Sequence, residues 1–204
     1  MAGDPTHAGQ QIAPPIEVGQ GWWATVKYSP QGDKLAACGP DHIIRVWSKN
    51  GKLLTEINAP DGSVVVSLCW PMDGTCIFSG SVDGTIRKWR LIDREELIVL
   101  RGHTSIVMSL CLTLDECYLL GASMDSSVRI WELGTNNPVG EPLWHDDEVR
   151  TDVMSHDRRH IASGGSDKRI YLWDFEAALK QSSNQVCLHV LFTFPLILAY
   201  IECA

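Results

Sequence analysis

Short apolar runs recur along the chain and are separated by polar turns rich in glycine, proline and aspartate. The run "VVVSLCW" (64–70) alternates in a way that is typical of a half-buried β-strand. A turn such as "SPQGD" or "PMDGT" follows, in which glycine can adopt a positive φ. Second runs ("KLAAC", "CIFSG", "YLLGA", "HIASG"), third runs ("IIRVW", "TIRKW", "SVRIW", "RIYLW") and fourth runs ("GKLLTEI", "EELIVL") predict an all-β protein with about four short strands per unit.

The units repeat without gaps every 42 residues. Three columns of residues keep this period through all four copies. The tryptophan column is Trp47, Trp89, Trp131 and Trp173. The aspartates that stand six positions earlier are Asp41, Asp83, Asp125 and Asp167. The β-branched column between them is Ile44, Ile86, Val128 and Ile170. Four antiparallel strands in about 40–45 residues are the content of one β-propeller blade.

Three motifs resemble WD40 repeats: Gly102–His103, the block "SGSVDGTIRKW" (79–89) and the closing pair Trp173–Asp174. The resemblance covers residues 19 to about 174 and identifies no subfamily. It implies an all-β fold of WD40-type β-propeller blades. We expect a flexible N-terminal segment, four repeats and an apolar, non-repeat C-terminal tail, with bounds at 1–20, then about 21–57, 64–101, 106–143 and 149–174, then 175–204.

The resemblance also implies a hydrogen-bond chain in each blade, from a loop histidine through the turn aspartate and a strand serine to the tryptophan. Such a chain fixes neighbouring blades without leaving buried polar groups unpaired. Copy four has His145, Ser163, Asp167 and Trp173; copy three has His103, Asp125 and Trp131, with Gly121 in the serine position; copy two has Ser79, Asp83 and Trp89, with Asp61 in the histidine position; copy one has Asp41 and Trp47. We expect blade 1 to be held mainly by apolar packing.

His145, Ser163 and Asp167 also have the residue types of a catalytic triad. The structural interpretation is favoured, because the chain has no GxSxG motif and other copies lose the serine or the histidine. The run "HDDE" (145–148) is more typical of an exposed turn than of a metal site. The loop "SGGSDK" (163–168) joins two strands and lacks the GK[ST] of a phosphate-binding loop. We therefore predict no catalytic residue, metal or cofactor.

The resemblance places partner-binding residues at the top face, where the strands meet the turns. They are the third and fifth residues after the histidine position and the residue before the turn aspartate. In chain order they are Trp22, Ala24, Pro40, Val64, Val66, Val82, Ile106, Met108, Met124, Glu148, Arg150 and Ser166. An apolar patch bordered by charge favours a protein or peptide partner, so we predict a non-catalytic interaction scaffold or adaptor. The alternative interpretation is that some of these residues line the core of a central channel.

The composition narrows the classes of partner. The chain has 17 basic and 25 acidic residues and a net charge of −8, which argues against a broad nucleic-acid surface. Arg45, Arg87 and Arg129 share one repeat position, where we expect a solvated stripe. The seven cysteines show no metal-type spacing, and the N-terminus has no secretory pattern. The predicted compartment is the cytoplasm or the nucleus.

Four units are few for a closed ring of this type. Three arrangements are open: an open arc, half of an eight-bladed ring completed by a homodimer, or a fragment of a longer parent. The segment "IAPPIEV" (12–18) could supply a closing strand. The apolar run 186–201 contains no acidic residue, lysine or arginine. It could pack on the open end, anchor the chain in a membrane as a tethered adaptor, or be a non-native ending.

Overall fold

The computed structural model describes residues 15–16 and 25–180, and these residues form four antiparallel sheets, which we call blades 1 to 4. Blade 1 contains β1 (Thr25–Tyr28), β2 (Lys34–Cys38), β3 (Ile43–Ser48) and β4 (Leu53–Asn58). Blade 2 contains β5 (Val65–Cys69), β6 (Cys76–Ser81), β7 (Ile86–Arg90) and β8 (Glu96–Leu100). Blade 3 contains β9 (Val107–Leu112), β10 (Tyr118–Ser123), β11 (Ser127–Glu132) and β12 (Asn137–Trp144). Blade 4 contains β13 (Val149–Met154), β14 (His160–Gly165) and β15 (Ile170–Asp174).

Strands within each blade pair in chain order, and the tryptophan column has the same position in every blade. Each tryptophan lies on the third strand, directly opposite a branched aliphatic residue of the second strand. The pairs are Trp47 with Leu35, Trp89 with Ile77, Trp131 with Leu119, and Trp173 with Ile161. All four indoles are buried. The predicted all-β fold of propeller blades is confirmed, and the 42-residue period corresponds to one blade.

The first strands of blades 2, 3 and 4 each contain a β-bulge at the same repeat position. Val65 pairs with Ser81 and Ser67 with Gly80, so Val66 is the extra residue of its strand. The register shifts identically at Met108 in β9 and at Arg150 in β13. A bulge bends the strand and redirects the side chains beside it. The bulges therefore shape the same end of three consecutive blades.

Neighbouring blades pack face to face through three apolar cores, and the first strands β1, β5, β9 and β13 contact one another in that order. We call the side of a blade that faces the following blade its forward face, and the other side its rear face. The forward face of blade 1 contributes Ala36, Cys38, Ile44 and Val46, and the rear face of blade 2 contributes Val65, Leu68, Ile77 and Trp89. Burying each large side chain contributes about 1.5–3 kcal/mol, so these junctions dominate the stability of the array.

In the described part of the chain the four blades form an incomplete propeller. Blade 4 has three strands there, and the helix α1 (Phe175–Lys180) follows its third strand and packs back on blade 3. The Phe175 ring meets the Tyr118 ring edge to face, with 5.5 Å between centroids. No helix among the described residues is long and apolar enough to span a membrane. The possible closing strand (12–18), apart from residues 15–16, and the apolar run 186–201 lie outside those residues.

Candidate functional site

The predicted hydrogen-bond chain of blade 4 is assembled around Ser163 on β14. The Trp173 indole donates from Nε1 to Ser163 Oγ at 2.8 Å, and His145 Nε2 lies 2.8 Å from the same oxygen. His145 Nδ1 is 3.4 Å from Asp167 Oδ2, which is a longer contact than the other two. The Ser163 hydroxyl is buried and engaged on both sides, so no substrate can reach it as it would reach a nucleophile. Its geometry is that of a structural link between strands.

His145 is a neutral member of this chain. Its burial lowers the pKa of the imidazole, and the opposing effect of Asp167 does not restore the pKa to its ordinary value. The ring also contacts the Tyr171 ring, tilted by 48° and with 3.9 Å between centroids. Because Asp167 can only accept, the tautomer that carries the proton on Nδ1 fits the site, and Ser163 then donates to Nε2. His145 and Trp173 are therefore joined through Ser163, whereas the contact between His145 Nδ1 and Asp167 Oδ2 does not have the geometry of a hydrogen bond.

Blade 3 keeps the histidine and the aspartate but loses the link to its tryptophan. His103 Nδ1 lies 2.8 Å from Asp125 Oδ2, and its Nε2 lies 2.9 Å from the backbone carbonyl of Gly121. Burial raises the pKa of Asp125, but the bonds from His103 and Ser127 outweigh this and hold the pKa well below its ordinary value. Among the described residues, Trp131 Nε1 is buried without a hydrogen-bond partner. The Gly121 carbonyl therefore takes the place of the missing serine as the partner of His103, but it does not bind the Trp131 indole.

Blades 1 and 2 use arginine where blades 3 and 4 use histidine. Arg87 donates from Nη1 to Asp83 Oδ2 at 3.0 Å, and its Nε lies 3.1 Å from Glu96. In blade 1, Arg45 binds Asp41 in the same way and bonds Glu56 at 2.8 Å. These side chains are largely buried, so the expected solvated arginine stripe is wrong. The turn aspartate is held by the arginine four residues later, and blade 1 has these ionic links as well as apolar packing.

The equivalent positions in blades 3 and 4 explain the pattern. In blade 3, Asp125 is occupied by His103, and the buried Nε of Arg129 has no hydrogen-bond partner within residues 25–180. In blade 4 the position is Tyr171, whose ring contacts the His145 ring instead. The sequence contained only part of the signal for this exchange, because Arg45 and Arg87 stand in the two copies that lack the histidine, but Arg129 stands in a copy that has it.

In blade 2 the residues predicted to form the hydrogen-bond chain make two separate sets of contacts. The Trp89 indole donates to Ser79 Oγ at 2.8 Å, as in blade 4. Asp83 instead accepts from the Thr85 backbone amide and hydroxyl at 2.9 and 2.6 Å. Asp61, in the histidine position, is exposed in a short 3-10 turn, Pro60–Gly62. The structure therefore joins Ser79 to Trp89 and keeps Asp83 with its own turn.

The predicted top-face residues of blades 2, 3 and 4 lie together at one end of each blade. The backbone amides of Val82, Met124 and Ser166 donate at 2.9 Å to the carbonyls of Val64, Ile106 and Glu148. The bulged residues Val66, Met108 and Arg150 follow those carbonyls by two positions. Val82 and Arg150 are exposed and the other residues of these triplets are partly exposed. Trp22, predicted for blade 1, lies outside the described residues.

The chemistry of this top face changes along the array. Blades 2 and 3 present valine, isoleucine and methionine, whereas blade 4 presents a polar cluster. Arg150 donates from Nη2 to Glu148 at 2.9 Å and from Nε to Ser166 Oγ at 3.1 Å. The charges of blade 4 are thus partly neutralised by one another. An apolar surface with a polar border is the usual make-up of a protein interface.

One buried residue was not singled out by the sequence analysis. Asp152 on β13 occupies the repeat position where blades 2 and 3 have Leu68 and Leu110, in the apolar junction between first strands. Neither carboxylate oxygen has a hydrogen bond of good geometry within the described residues. Burial raises the pKa of Asp152 to about 6, against smaller opposing effects of Ser109 and His103. The signal in the sequence was a polar residue in an apolar column of the repeat.

Two other kinds of site remain, a metal cluster and a cleft between blades. Within residues 25–180, no group of three or more histidine, cysteine, aspartate or glutamate side chains is placed to hold a metal ion. A cleft of about 420 Å³ opens between blades 2 and 3 at the opposite end from the top face, lined by Phe78, Lys88, Cys117 and Glu132 among others. Lys88 lies over the Phe78 ring, 5.3 Å from its centroid.

Comparisons with known proteins agree with this architecture. A family model described as "WD domain, G-beta repeat" matches residues 20–48, 51–90, 94–132 and 138–174. A component of chromatin assembly factor 1 of Gallus gallus is 28% identical over 99 residues, which is 38% of this chain and 18% of that protein. Protein RAE1 of Arabidopsis thaliana is 30% identical over 74 residues (34% and 21%). Eukaryotic translation initiation factor 3 subunit I of Schizosaccharomyces pombe is 35% identical over 69 residues (31% and 20%). The matches span about a fifth of each relative's length.

Proposed function

The chain belongs to the WD40 repeat family, whose members typically act as non-enzymatic protein-interaction scaffolds, and from this premise we propose that it binds a protein or peptide partner through its top face. The observation that carries the proposal is the threefold repetition of one geometry. Blades 2, 3 and 4 each place a triplet at the same end, with the same 2.9 Å backbone bond and the same bulge. A repeated, partly exposed set of side chains on rigid strands is suited to binding an extended partner.

The partner fits this surface through apolar anchors and a polar end. Met108, Val66 and Val82 offer adaptable apolar contact area on blades 2 and 3. On blade 4, Glu148 supplies an acceptor and Arg150 supplies a donor, and these two groups set the orientation of the partner. A partner with an apolar segment followed by polar or charged residues matches this order. The names of two relatives describe components of larger assemblies, which supports a protein as the partner. A protein-binding role fits the predicted compartment, the cytoplasm or the nucleus.

Substitution of one top-face residue tests this proposal. We expect Met108→Glu to weaken partner capture, because a charge in the apolar part of the surface must be desolvated on binding. The matched control is Leu114→Glu, which places the same charge on an exposed leucine of the same blade at the opposite end. Proteins captured from extract by wild type and both variants are quantified by mass spectrometry, and melting temperatures are measured alongside.

The expected result is a set of proteins that Met108→Glu loses and Leu114→Glu retains, with both melting temperatures close to that of wild type. Equal capture by all three proteins would contradict a binding role for the top face. Loss of capture only in variants that also unfold would show that the surface is structural.

A further inference from the structure

The two ends of the blade array expose apolar residues at positions that are less exposed in the other blades. Ile170 on the forward face of blade 4 is 67% exposed, whereas its equivalents Ile44, Ile86 and Val128 are each 0% exposed. Leu172 is 46% exposed, and its equivalents Val46 and Ile130 are almost completely buried. The forward face of blade 4 therefore has the side chains of a blade junction but no blade packed on them in the described residues.

The rear face of blade 1 carries the complementary half of the same junction. Val26 and Tyr28 on β1 are 51% and 63% exposed, whereas their equivalents in blade 2, Leu68 and Trp70, are buried. The branched residue opposite the tryptophan is also present, as the partly buried Leu35, while Trp47 on the same face is itself buried. In blades 2, 3 and 4 these rear-face positions pack on the preceding blade.

We propose that two copies of this chain associate head to tail, with the forward face of blade 4 of each copy packed on the rear face of blade 1 of the other. The contact continues an interface that the chain already forms three times, between blades 1 and 2, 2 and 3, and 3 and 4. Within its described residues each copy has one face of each kind, so two such contacts related by a twofold axis satisfy both exposed faces. The product has eight blades, which is within the usual size of closed propellers.

A second copy is the occupant that matches both faces at once. Its blade 1 offers valine, tyrosine and leucine at the positions where the junction between blades 1 and 2 uses leucine, tryptophan and isoleucine. A face-to-face contact between two copies of blade 4 would instead bring like positions together, Ile170 against Ile170, which no junction in the chain does. The repeat register thus selects the head-to-tail arrangement. This association is independent of the top-face function, because the junction faces and the top face use different residues.

Light scattering on the full-length chain, across a range of concentrations, tests the proposal. We expect wild type to show twice the chain mass, and Leu172→Lys to raise the dissociation constant at least tenfold, which corresponds to about 1.4 kcal/mol. The matched control is Ile92→Lys, because Ile92 is an exposed isoleucine in the turn between β7 and β8 and lies on neither end face. The control is expected to remain a dimer. Circular dichroism and thermal unfolding of the separated monomer verify that Leu172→Lys is folded.

Mixing two variants distinguishes the head-to-tail ring from other dimers. Leu172→Lys changes the forward face and Val26→Glu changes the rear face, and each variant alone spoils both contacts of its own dimer. In a mixed dimer one contact is wild type, and the other brings the introduced lysine near the introduced glutamate. We therefore expect the mixture to dimerise more tightly than either variant alone.

Four results would overturn the proposal. A wild-type chain that stays at a single chain mass at high concentration does not form the ring. A dimer that Leu172→Lys and Ile92→Lys affect equally uses another surface. Masses that grow beyond two chains with concentration indicate an open head-to-tail array, and a mixture no tighter than its components indicates a contact between like faces.

Discussion

We expect the ionisation of Asp152 to make the stability of the junction between blades 3 and 4 depend on pH. Its carboxyl is buried without a hydrogen bond of good geometry, and burial raises its pKa from 3.8 to about 6. A carboxyl whose pKa is higher in the folded state binds its proton more tightly there than in the unfolded chain. The stability associated with that proton is fully present below about pH 4 and is lost as the pH rises to about 6.

The size of this effect follows from the shift in the pKa. A difference of about two pKa units corresponds to about 3 kcal/mol, at 1.36 kcal/mol per unit. Above pH 6 the folded chain carries an ionised carboxylate in an apolar junction, and this cost remains constant as the pH rises further. Asp152→Asn removes the charge at nearly constant volume. We expect it to change stability little near pH 4 and to stabilise the protein by about 2–3 kcal/mol at pH 7.5.

Urea unfolding of wild type and Asp152→Asn at a series of pH values between these limits measures the difference. The other carboxyl groups titrate in both proteins, so their contributions cancel in the comparison. Asp147→Asn is the matched control, because it makes the same substitution at an exposed aspartate in the loop before β13. A stability difference between wild type and Asp152→Asn that is the same at pH 4 and pH 7.5 would refute the assignment of a raised pKa to this group.

Two further predictions concern the polar links within blades. Ser163→Ala leaves the Trp173 indole buried without its acceptor, and we expect a loss of about 1–3 kcal/mol in thermal or urea unfolding; an unchanged free energy of unfolding would contradict the link. Arg87→Met removes the cation that holds Asp83 and should cost about 1–3 kcal/mol, whereas Arg129→Met, at a position whose Nε makes no hydrogen bond in the described chain, should change stability by less than about 0.5 kcal/mol. Equal costs at the two arginine positions would show that the ion pair with the turn aspartate contributes nothing.

The blades were predictable because their signals are local. A period of two along each strand, glycine in the turns and a 42-residue repeat of Trp, Asp and a β-branched residue all depend on the order of residues alone. Trp47 and Trp173 stand far apart in the chain, yet both lie opposite a branched aliphatic residue because each unit folds on the same pattern. The candidate top face followed from the same period.

The contacts of the arginine column were not predicted, because an arginine and a loop histidine compete for the same turn aspartate. Arg87 and Arg129 occupy the same repeat position, but only Arg87 binds its turn aspartate, because His103 already occupies Asp125 in blade 3. The sequence analysis expected the whole arginine column to be solvated. Whether each arginine binds its turn aspartate depends instead on whether a loop histidine of the same blade already binds it. The bulge at Met108 is a second example, since it arises from the pairing of two strands and not from the residue itself.

The phase of the sequence repeat relative to the blade explains why the two ends of the array differ. The matched repeat at 51–90 contains β4, the last strand of blade 1, followed by the first three strands of blade 2, and the repeat at 94–132 has the same composition one blade later. Neighbouring blades are therefore connected within one repeat, so that folding of a repeat also builds a junction. A series that ends at the boundary of a repeat leaves its last blade one strand short, which is the state of blade 4 in residues 149–174. The outer edge of β15 and the forward face of blade 4 are two separate surfaces. A fourth strand could pair with the edge, whereas another blade could pack on the face. On blade 4 the head-to-tail contact covers only the forward face, so Leu172→Lys should weaken the dimer by the same factor even if a strand from elsewhere pairs with β15.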